Sequence, residues 1–119
     1  MAATLETFPV NSHSREYEAG QVIFRAFDMG AEMYIVREGT VEITVGETVV
    51  ETVGPGDLFG EMALIDQAPR VATATAKTHC KLDAIGERQF LFMVQTTPHF
   101  ALRIMKVMAD RLRKMNQRV

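Results

Sequence analysis

The 119-residue sequence predicts an α+β fold, an antiparallel, jelly-roll-like β-roll with one short helix between its strands and two C-terminal helices. Between residues 15 and 85, β-rich runs alternate with glycine-containing turns, which is typical of antiparallel strands. Residues 54–74 add a glycine-rich turn and one helical turn. After Gly86 the apolar residues change to helical spacing. We expect one domain over residues 1–119, with the roll at about 15–85.

The predicted strands are short and follow each other closely. Apolar and polar residues alternate over residues 41–45, which is the period of a half-buried strand. Gly46-Glu47 then predicts a hairpin turn into the next strand. The predicted strands are residues 22–24, 33–37, 41–45, 48–53, 71–76 and 80–85.

Two helices are predicted at about residues 87–95 and 98–118. Thr97 as N-cap and Pro98 at the first helical position mark the start of the second one. Its apolar residues form an a/d seam over nearly three heptads. This seam either packs on the roll or joins two copies in a homodimer, and both alternatives stay open. The seam consists of Ala101, Met105, Met108, Leu112, Met115 and Val119.

The composition, 47% apolar and 24% charged, is that of an ordinary soluble globular protein. A single cysteine, Cys80, excludes a disulfide within the chain. We expect a cytoplasmic protein without membrane contact, because no apolar run is long enough to span a bilayer and residues 1–14 do not resemble a secretory signal.

The basic residues of segment 103–119 form either a solvated helix face or a surface for an acidic partner. Direct DNA binding is not expected, because no groove-reading module is evident.

Nothing in the sequence suggests catalysis. The histidines His13, His79 and His99 lie far apart, without a His-x-His pair for a metal. No serine or cysteine occupies a nucleophile elbow. We therefore expect no enzyme activity, no catalytic residue and no metal or other cofactor.

Two charged residues, Glu61 and Arg70, stand among apolar neighbours. A buried charge is costly unless it has a partner. In one interpretation the two side chains form a salt bridge that holds a turn. In the other they bind a sugar phosphate: Arg70 grips the phosphate beside a helical turn starting at Gly60, and Glu61 accepts hydrogen bonds from hydroxyl groups. The residues alone leave both interpretations open.

The motif that contains these residues is long and has constrained spacing. It reads Phe59-Gly60-Glu61-Met62-Ala63-Leu64 and, after four residues, Pro69-Arg70-Val71-Ala72-Thr73. It closely resembles the phosphate-binding cassette of the cyclic nucleotide-binding domain family, which includes catabolite activator-type regulators and regulatory subunits of cyclic AMP-dependent protein kinase. We call residues 59–73 the cassette.

The resemblance implies a role for each site residue. Glu61 would accept the ribose 2′-hydroxyl and Arg70 would bind the cyclic phosphate. The backbone N–H groups of Ala63 and Val71 would face the phosphate, and Gly60 would allow its close approach. The remaining expected ligand neighbours are Phe59, Met62 and Ala72 in the cassette, Val49 and Leu58 against the base, and Met115 and Asn116 over the purine.

Four positions depart from the family pattern. Phe27 stands where a glycine is usual, so the loop around it is expected to differ. Val71 replaces the common Ala, Ser or Thr, and the absence of a hydroxyl group favours cyclic AMP over cyclic GMP as the expected ligand. Met115 and Asn116 lack the hydroxyl pair of the bacterial activator.

The expected function is binding of cyclic AMP, with cyclic GMP as the second option, by a regulatory module that reports to an unidentified protein effector. We expect the ligand to draw residues 60–73 inward and the C-terminal helices to cover the base, with Thr97-Pro98 as hinge. A stand-alone sensor is expected because the sequence shows no helix-turn-helix, pore or kinase-inhibitor segment. The alternative is a ligand-free interaction or dimerisation module with a degenerate nucleotide site.

Overall fold

The computed structural model describes residues 14–117, without the side chains of Met115 and Gln117. In this range the strands are β1 (Ser14–Tyr17), β2 (Val22–Phe24), β3 (Glu32–Glu38), β4 (Val41–Val45), β5 (Thr48–Val53), β6 (Leu58–Phe59), β7 (Thr73–Ala76) and β8 (Cys80–Gly86). The helices are α1 (Met62–Ile65), α2 (Glu87–Thr96) and α3 (Pro98–Gln117).

The strands form two four-stranded antiparallel sheets. One sheet has the order β1-β8-β3-β6 and the other β2-β7-β4-β5. Except for the β4–β5 hairpin, consecutive strands lie in different sheets, so the chain wraps around a common interior. The predicted α+β class and antiparallel roll are confirmed. The sequence analysis missed β1 and β6, which have four and two residues and are too short to show a period.

Strand β3 is buried on both faces, which explains its uninterrupted apolar run. Tyr34 and Val36 belong to the core between the two sheets. Met33 and Ile35 point the other way, into a second core that α2 and α3 cover. Successive side chains of a strand alternate between faces, so one strand contributes to both cores. Burial of these apolar surfaces is the main force that holds the sheets and the helices together.

The two C-terminal helices separate at Thr97. Its backbone is extended, with φ −133° and ψ 84°, because the residue before a proline is excluded from the helical region. The amide of Thr97 donates to the Met93 carbonyl at 2.8 Å, and the amide of Phe100 donates to the Thr97 carbonyl at 2.9 Å. The break predicted at this position is therefore present.

Helix α3 has one face on the second core and one face without a partner in residues 14–117. Phe100 and Ile104 are buried in that core, where Val107 and Met108 also pack. The seam predicted from the sequence is divided between these faces. Ala101 and Met108 are half-buried, whereas Met105 and Leu112 are exposed. The side chain of Met115 and residue Val119 lie outside the described part of the chain.

Candidate ligand-binding site

A cavity of about 570 Å³ lies between the second sheet, the cassette and α3. Eight of the twelve predicted site residues line it: Phe59, Gly60, Glu61, Met62, Ala63, Arg70, Val71 and Ala72. The sheet contributes Phe24, Ile43, Val45, Val50 and Glu51, and α3 contributes Arg111 and Lys114. The cavity has the size of an ordinary small-molecule site, which is roughly 300–1,000 Å³.

Two predicted residues on the strands, Val49 and Leu58, do not line this cavity. Val49 is exposed, and its neighbours Val50 and Glu51 line the wall instead. Strand β5 has a register shift between Ile43 and Thr44 of its partner β4, and this bulge changes which side chains face the cavity. Leu58 points into the second core, on the opposite side from Phe59.

The last turns of α3 also differ from the expected arrangement. Asn116 is exposed and is not among the lining residues. Arg111 and Lys114, at nearby helical positions, line the cavity. The predicted capping role of the Met115 side chain falls outside the described residues.

Arg70 is buried and is held by main-chain carbonyls and a ring. Its Nη1 donates to the Gly60 carbonyl at 2.9 Å and its Nη2 donates to the Glu32 carbonyl at 2.7 Å. The guanidinium lies 4.0 Å from the centre of the Phe24 ring, an arrangement that favours a cation. Burial lowers the pKa of Arg70, although the nearby Tyr34 and Glu32 oppose this effect. An arginine stays protonated despite such a shift.

Two glycines make room for this guanidinium. A Cβ on Gly30 would collide with the Nε and Cζ atoms of Arg70. A Cβ on Gly60 would lie 2.9 Å from Nη1, and the φ of +79° at Gly60 favours glycine in any case. The loop of residues 25–30 is tied to Arg70 through two backbone hydrogen bonds, from Phe27 N to Arg70 O at 2.7 Å and from Arg70 N to Asp28 O at 2.8 Å.

Glu61 is 3% exposed and is paired with α3. Its Oε1 accepts a hydrogen bond from Nη1 of Arg111 at 2.6 Å. The described residues show no ion pair between Glu61 and Arg70, so the salt bridge considered from the sequence is not formed. Each charge has its own partners: Glu61 a guanidinium from α3, and Arg70 two neutral carbonyls.

Arg111 also binds the sheet. Its Nε and Nη2 donate to the two carboxylate oxygens of Glu51 at 2.7 and 3.2 Å, and Nη2 also donates to the Leu58 carbonyl at 3.0 Å. Burial acts to lower the pKa of Arg111, but hydrogen bonds and charges from Glu51 and Glu61 outweigh it and raise the pKa. We call Glu51, Glu61 and Arg111 the clamp.

The sequence analysis missed Arg111 and Glu51 as site residues. Arg111 follows Phe100, Ile104 and Val107 at helical spacing, so it is a charged residue in register with the buried face of α3. A charged residue on the buried face of a helix needs a partner, and this position was the sequence signal for Arg111 as a site residue. Glu51 had no such signal, because the bulge in β5 decides that it faces the cavity.

The predicted phosphate-facing amides belong to a short turn in this structure. α1 begins at Met62, and the amide of Ala63 donates to the Gly60 carbonyl at 3.4 Å. Val71, whose amide was the other one predicted to face the phosphate, is largely exposed. The proposed contacts of these two amides with a phosphate stay predictions.

Residues 14–97 match the model of the cyclic nucleotide-binding domain family. The chain therefore belongs to this family. A regulatory subunit of cAMP-dependent protein kinase from Eremothecium gossypii is 41% identical over 86 residues, which is 71% of this chain and 19% of that protein. The cyclic AMP receptor protein of Thermus thermophilus is 34% identical over 105 residues, 84% of this chain and 49% of that protein. The chain thus spans about a fifth to a half of these relatives.

Solved structures show the same fold. The catabolite activator protein of Thermus thermophilus superposes with a TM-score of 0.80 at 30% identity, covering 98% of this chain and 55% of that one. The EAL enzyme Bd1971 in its cAMP-bound form has a TM-score of 0.67 at 32% identity, covering 87% and 29%. A protein of a cyclic-GMP-dependent signalling pathway that regulates bacterial phytopathogenesis has a TM-score of 0.78 at 29% identity, covering 94% and 93%.

These findings identify a cyclic nucleotide-binding regulatory domain. The domain recurs in a kinase regulatory subunit and in a cyclic AMP receptor protein, and in the cAMP-bound form of the EAL enzyme it matches 29% of that chain. None of the helices within residues 14–117 is both long and apolar enough to cross a membrane.

Proposed function

We propose that the cavity binds cyclic AMP, with cyclic GMP as the second candidate ligand, and that the chain acts as a sensor through its C-terminal helices. One observation carries this proposal. Two buried residues of opposite charge, Glu61 and Arg70, stand in the wall of a mainly apolar cavity. A ligand with a phosphate, a sugar hydroxyl and an apolar base matches these groups.

Arg70 is suited to the phosphate because no carboxylate of residues 14–117 forms an ion pair with it. Its two Nη atoms each use one N–H for a carbonyl, which leaves a second N–H on each of them. A buried guanidinium held by neutral groups is stabilised by an anionic ligand, and the fork of the guanidinium matches phosphate oxygens.

Glu61 is suited to the ribose because one of its oxygens is open. Oε1 is bound by Arg111, whereas Oε2 has no hydrogen-bond partner among residues 14–117. A carboxylate oxygen in this position accepts a hydrogen bond from a hydroxyl. The apolar side chains of Ile43, Val45 and Val50 offer a surface for the base.

The choice of cyclic AMP over cyclic GMP follows from the family pattern at Val71. This residue lines the cavity and has no hydroxyl, whereas a threonine is frequent there in members that favour cyclic GMP. The similarity to the cAMP-bound enzyme and to the cyclic AMP receptor protein supports the same choice. The similarity to a protein of cyclic-GMP-dependent signalling keeps cyclic GMP as the second candidate.

The route of the signal follows from the position of α3. Arg111 and Lys114 line the cavity, so a bound ligand lies beside the helix. The break at Thr97 separates α3 from α2 and is the proposed hinge. A shift between two helix positions requires ligand contacts that differ between them. The protein effector, independent action of the module, absence of enzyme activity and of direct DNA binding, and a cytoplasmic location stay predictions.

One observation favours the alternative of a ligand-free interaction module. Glu61 and Arg70 already have partners in this structure, so neither charge needs a ligand to be tolerated. Thermal shift with cyclic AMP, cyclic GMP and AMP separates the alternatives. A rise in melting temperature with a cyclic nucleotide, and none with AMP, supports the sensor. No rise with either cyclic nucleotide supports the ligand-free module.

The assignment of Arg70 is tested by Arg70→Ala and calorimetry with cyclic AMP. We expect a loss of about 2–5 kcal/mol in binding free energy, because the buried phosphate loses its cation. Arg103→Ala is the control, since Arg103 forms an exposed ion pair with Asp57 at 3.1 Å and does not line the cavity. Unchanged affinity in the Arg70 variant would contradict the proposal. Melting curves without ligand establish that both variants are folded.

A further inference from the structure

We propose that Arg15 is a positioning residue for the phosphate end of the cavity: it holds the carboxylate of Glu32 away from Arg70, so that Arg70 stays open for an anionic ligand. Strand β1, which does not line the cavity, then takes part in ligand binding. This inference rests on the proposed function, because it concerns the group that is proposed to bind the phosphate.

Glu32 is a carboxylate placed to compete for Arg70. It is the first residue of β3, and its main-chain carbonyl accepts a hydrogen bond from Nη2 of Arg70 at 2.7 Å. Burial lowers the pKa of Arg70, and the charge of Glu32 is among those that oppose this effect, as expected for a nearby carboxylate. The carboxylate and this carbonyl belong to one residue, so we expect a change of the side-chain rotamer to bring the carboxylate to Arg70.

Arg70 would attract such a carboxylate. Its guanidinium is buried and bonded to two neutral carbonyls, and its Nε has no hydrogen-bond partner among residues 14–117. A buried cation with an unused donor is stabilised by an anion that reaches it. A carboxylate of the chain is tethered beside the guanidinium, whereas a ligand has to be bound from solution. An unrestrained Glu32 would therefore compete effectively with a phosphate.

Arg15 occupies both carboxylate oxygens of Glu32. Its Nη1 donates to Oε1 at 2.9 Å and its Nη2 donates to Oε2 at 2.8 Å. Two parallel bonds fix the plane of the carboxylate, which a single contact does not do. The hydroxyl of Tyr34 is a weaker additional donor, 3.4 Å from Oε1. The side chain of Glu32 is thus held by β1, while its carbonyl is bonded to Arg70.

The exposure of this pair argues against a role in stability alone. The side chains of Arg15 and Glu32 are 47% and 30% exposed, and an ion pair this exposed contributes little to stability because water screens it. We therefore expect variants of the pair to fold. An effect of such a variant on ligand affinity would then come from the freed carboxylate rather than from a damaged fold.

The test measures the affinity for cyclic AMP by calorimetry on the whole chain. Arg15→Gln should lower this affinity roughly 3- to 30-fold, less than the full effect of a hydrogen bond to a charged group because Glu32 is partly exposed. In the double variant Arg15→Gln/Glu32→Gln the competing charge is gone, so the affinity should return to within about twofold of the wild type. A purely structural role of Arg15 predicts no recovery, because the second change does not restore the lost contact.

Two single variants complete the set. Glu32→Gln should bind cyclic AMP at least as tightly as the wild type, because the carbonyl that Arg70 uses remains. Lys81→Gln is the matched control, since it removes the same charge from another exposed ion pair of the same sheet, with Glu38 at 3.2 Å, and it should leave the affinity unchanged. Melting curves without ligand establish that all variants are folded.

Wild-type affinity in the folded Arg15→Gln variant, or no recovery in the double variant, would overturn the inference and leave the proposed function intact. A marked loss of affinity in Glu32→Gln would also overturn it, and this variant keeps the inference testable if Arg15→Gln does not fold. If the wild type binds neither cyclic nucleotide, the proposed function fails and this inference fails with it.

Discussion

At the residue scale, Phe27 has an unusual backbone conformation. Its φ is 75°, which is rare for a bulky residue, and its side chain is 86% exposed. The departure from the family glycine at this position thus has a physical cost, while the loop keeps the backbone that a glycine would adopt. The loop keeps this conformation because the Phe27 amide donates to the Arg70 carbonyl.

Phe27→Gly should stabilise the protein. Relief of the left-handed conformation gains about 1–2 kcal/mol. The greater freedom of glycine in the unfolded chain costs about 0.5–1 kcal/mol. Little buried surface is lost, so we expect a net gain of about 0.5–1 kcal/mol in urea unfolding. Met29→Gly is the control in the same loop, where φ is not positive, and it should lower stability. A loss of stability in Phe27→Gly would show that its side chain has a role in the folded protein.

At the element scale, α3 connects the second core to the ligand cavity. Its first turns are fixed by apolar packing at Phe100 and Ile104, and its later turns by the ion pairs of Arg111. The helix therefore has two kinds of attachment. The apolar packing belongs to the second core, whereas the ion pairs stand in the cavity wall, where a bound ligand would change their surroundings.

Removal of the apolar attachment should destabilise the fold. Ile104 is 4% exposed, and Ile104→Ala should cost about 2–5 kcal/mol because it leaves a void in the second core. Leu91→Ala on the neighbouring helix α2 is the control, since Leu91 is 51% exposed, and it should cost less than about 0.5 kcal/mol. Urea unfolding measures both. Equal effects of the two changes would mean that α3 is not docked through Ile104.

At the scale of the whole molecule, the outer face of α3 carries exposed apolar residues at regular intervals. Met105 and Leu112, both from the predicted seam, are exposed there, together with Leu102 and Ala109. These four residues are spaced 3, 4 and 3 apart, which is the repeat of a coiled-coil seam. A homodimer stays a prediction, and in it this set replaces the half-buried Ala101 and Met108, of which Met108 packs against the second core.

Light scattering of the wild type and of Leu112→Lys tests the dimer. We expect a dimer mass for the wild type and a monomer mass for the variant, because a lysine in the seam would bring an unpaired charge into the apolar interface. Val49→Lys is the control, since Val49 is also exposed and apolar but lies on β5. A monomeric wild type, or a variant that stays dimeric, would exclude this seam as the interface.

Much of the fold could be predicted because its signals are local. Alternation marked β4, glycines marked the turns, and Thr97-Pro98 marked the break between the helices. The short strand β6 could not be predicted, because two residues are too few to show an alternation of apolar and polar side chains. Val49 was chosen over Val50 because the register shift between β4 and β5 cannot be recognised from either strand alone.

The sequence by itself determined the family, the cassette and the two charges, Glu61 and Arg70, on which the proposed function rests. It could do so because those residues lie within one short segment whose spacing is constrained. Only the tertiary structure decided which groups these charges meet. Arg111 lies 60 residues from Glu51 and 50 from Glu61, and the three meet only when α3 docks on the roll. A contact between distant segments depends on how whole elements pack, and no local pattern encodes it.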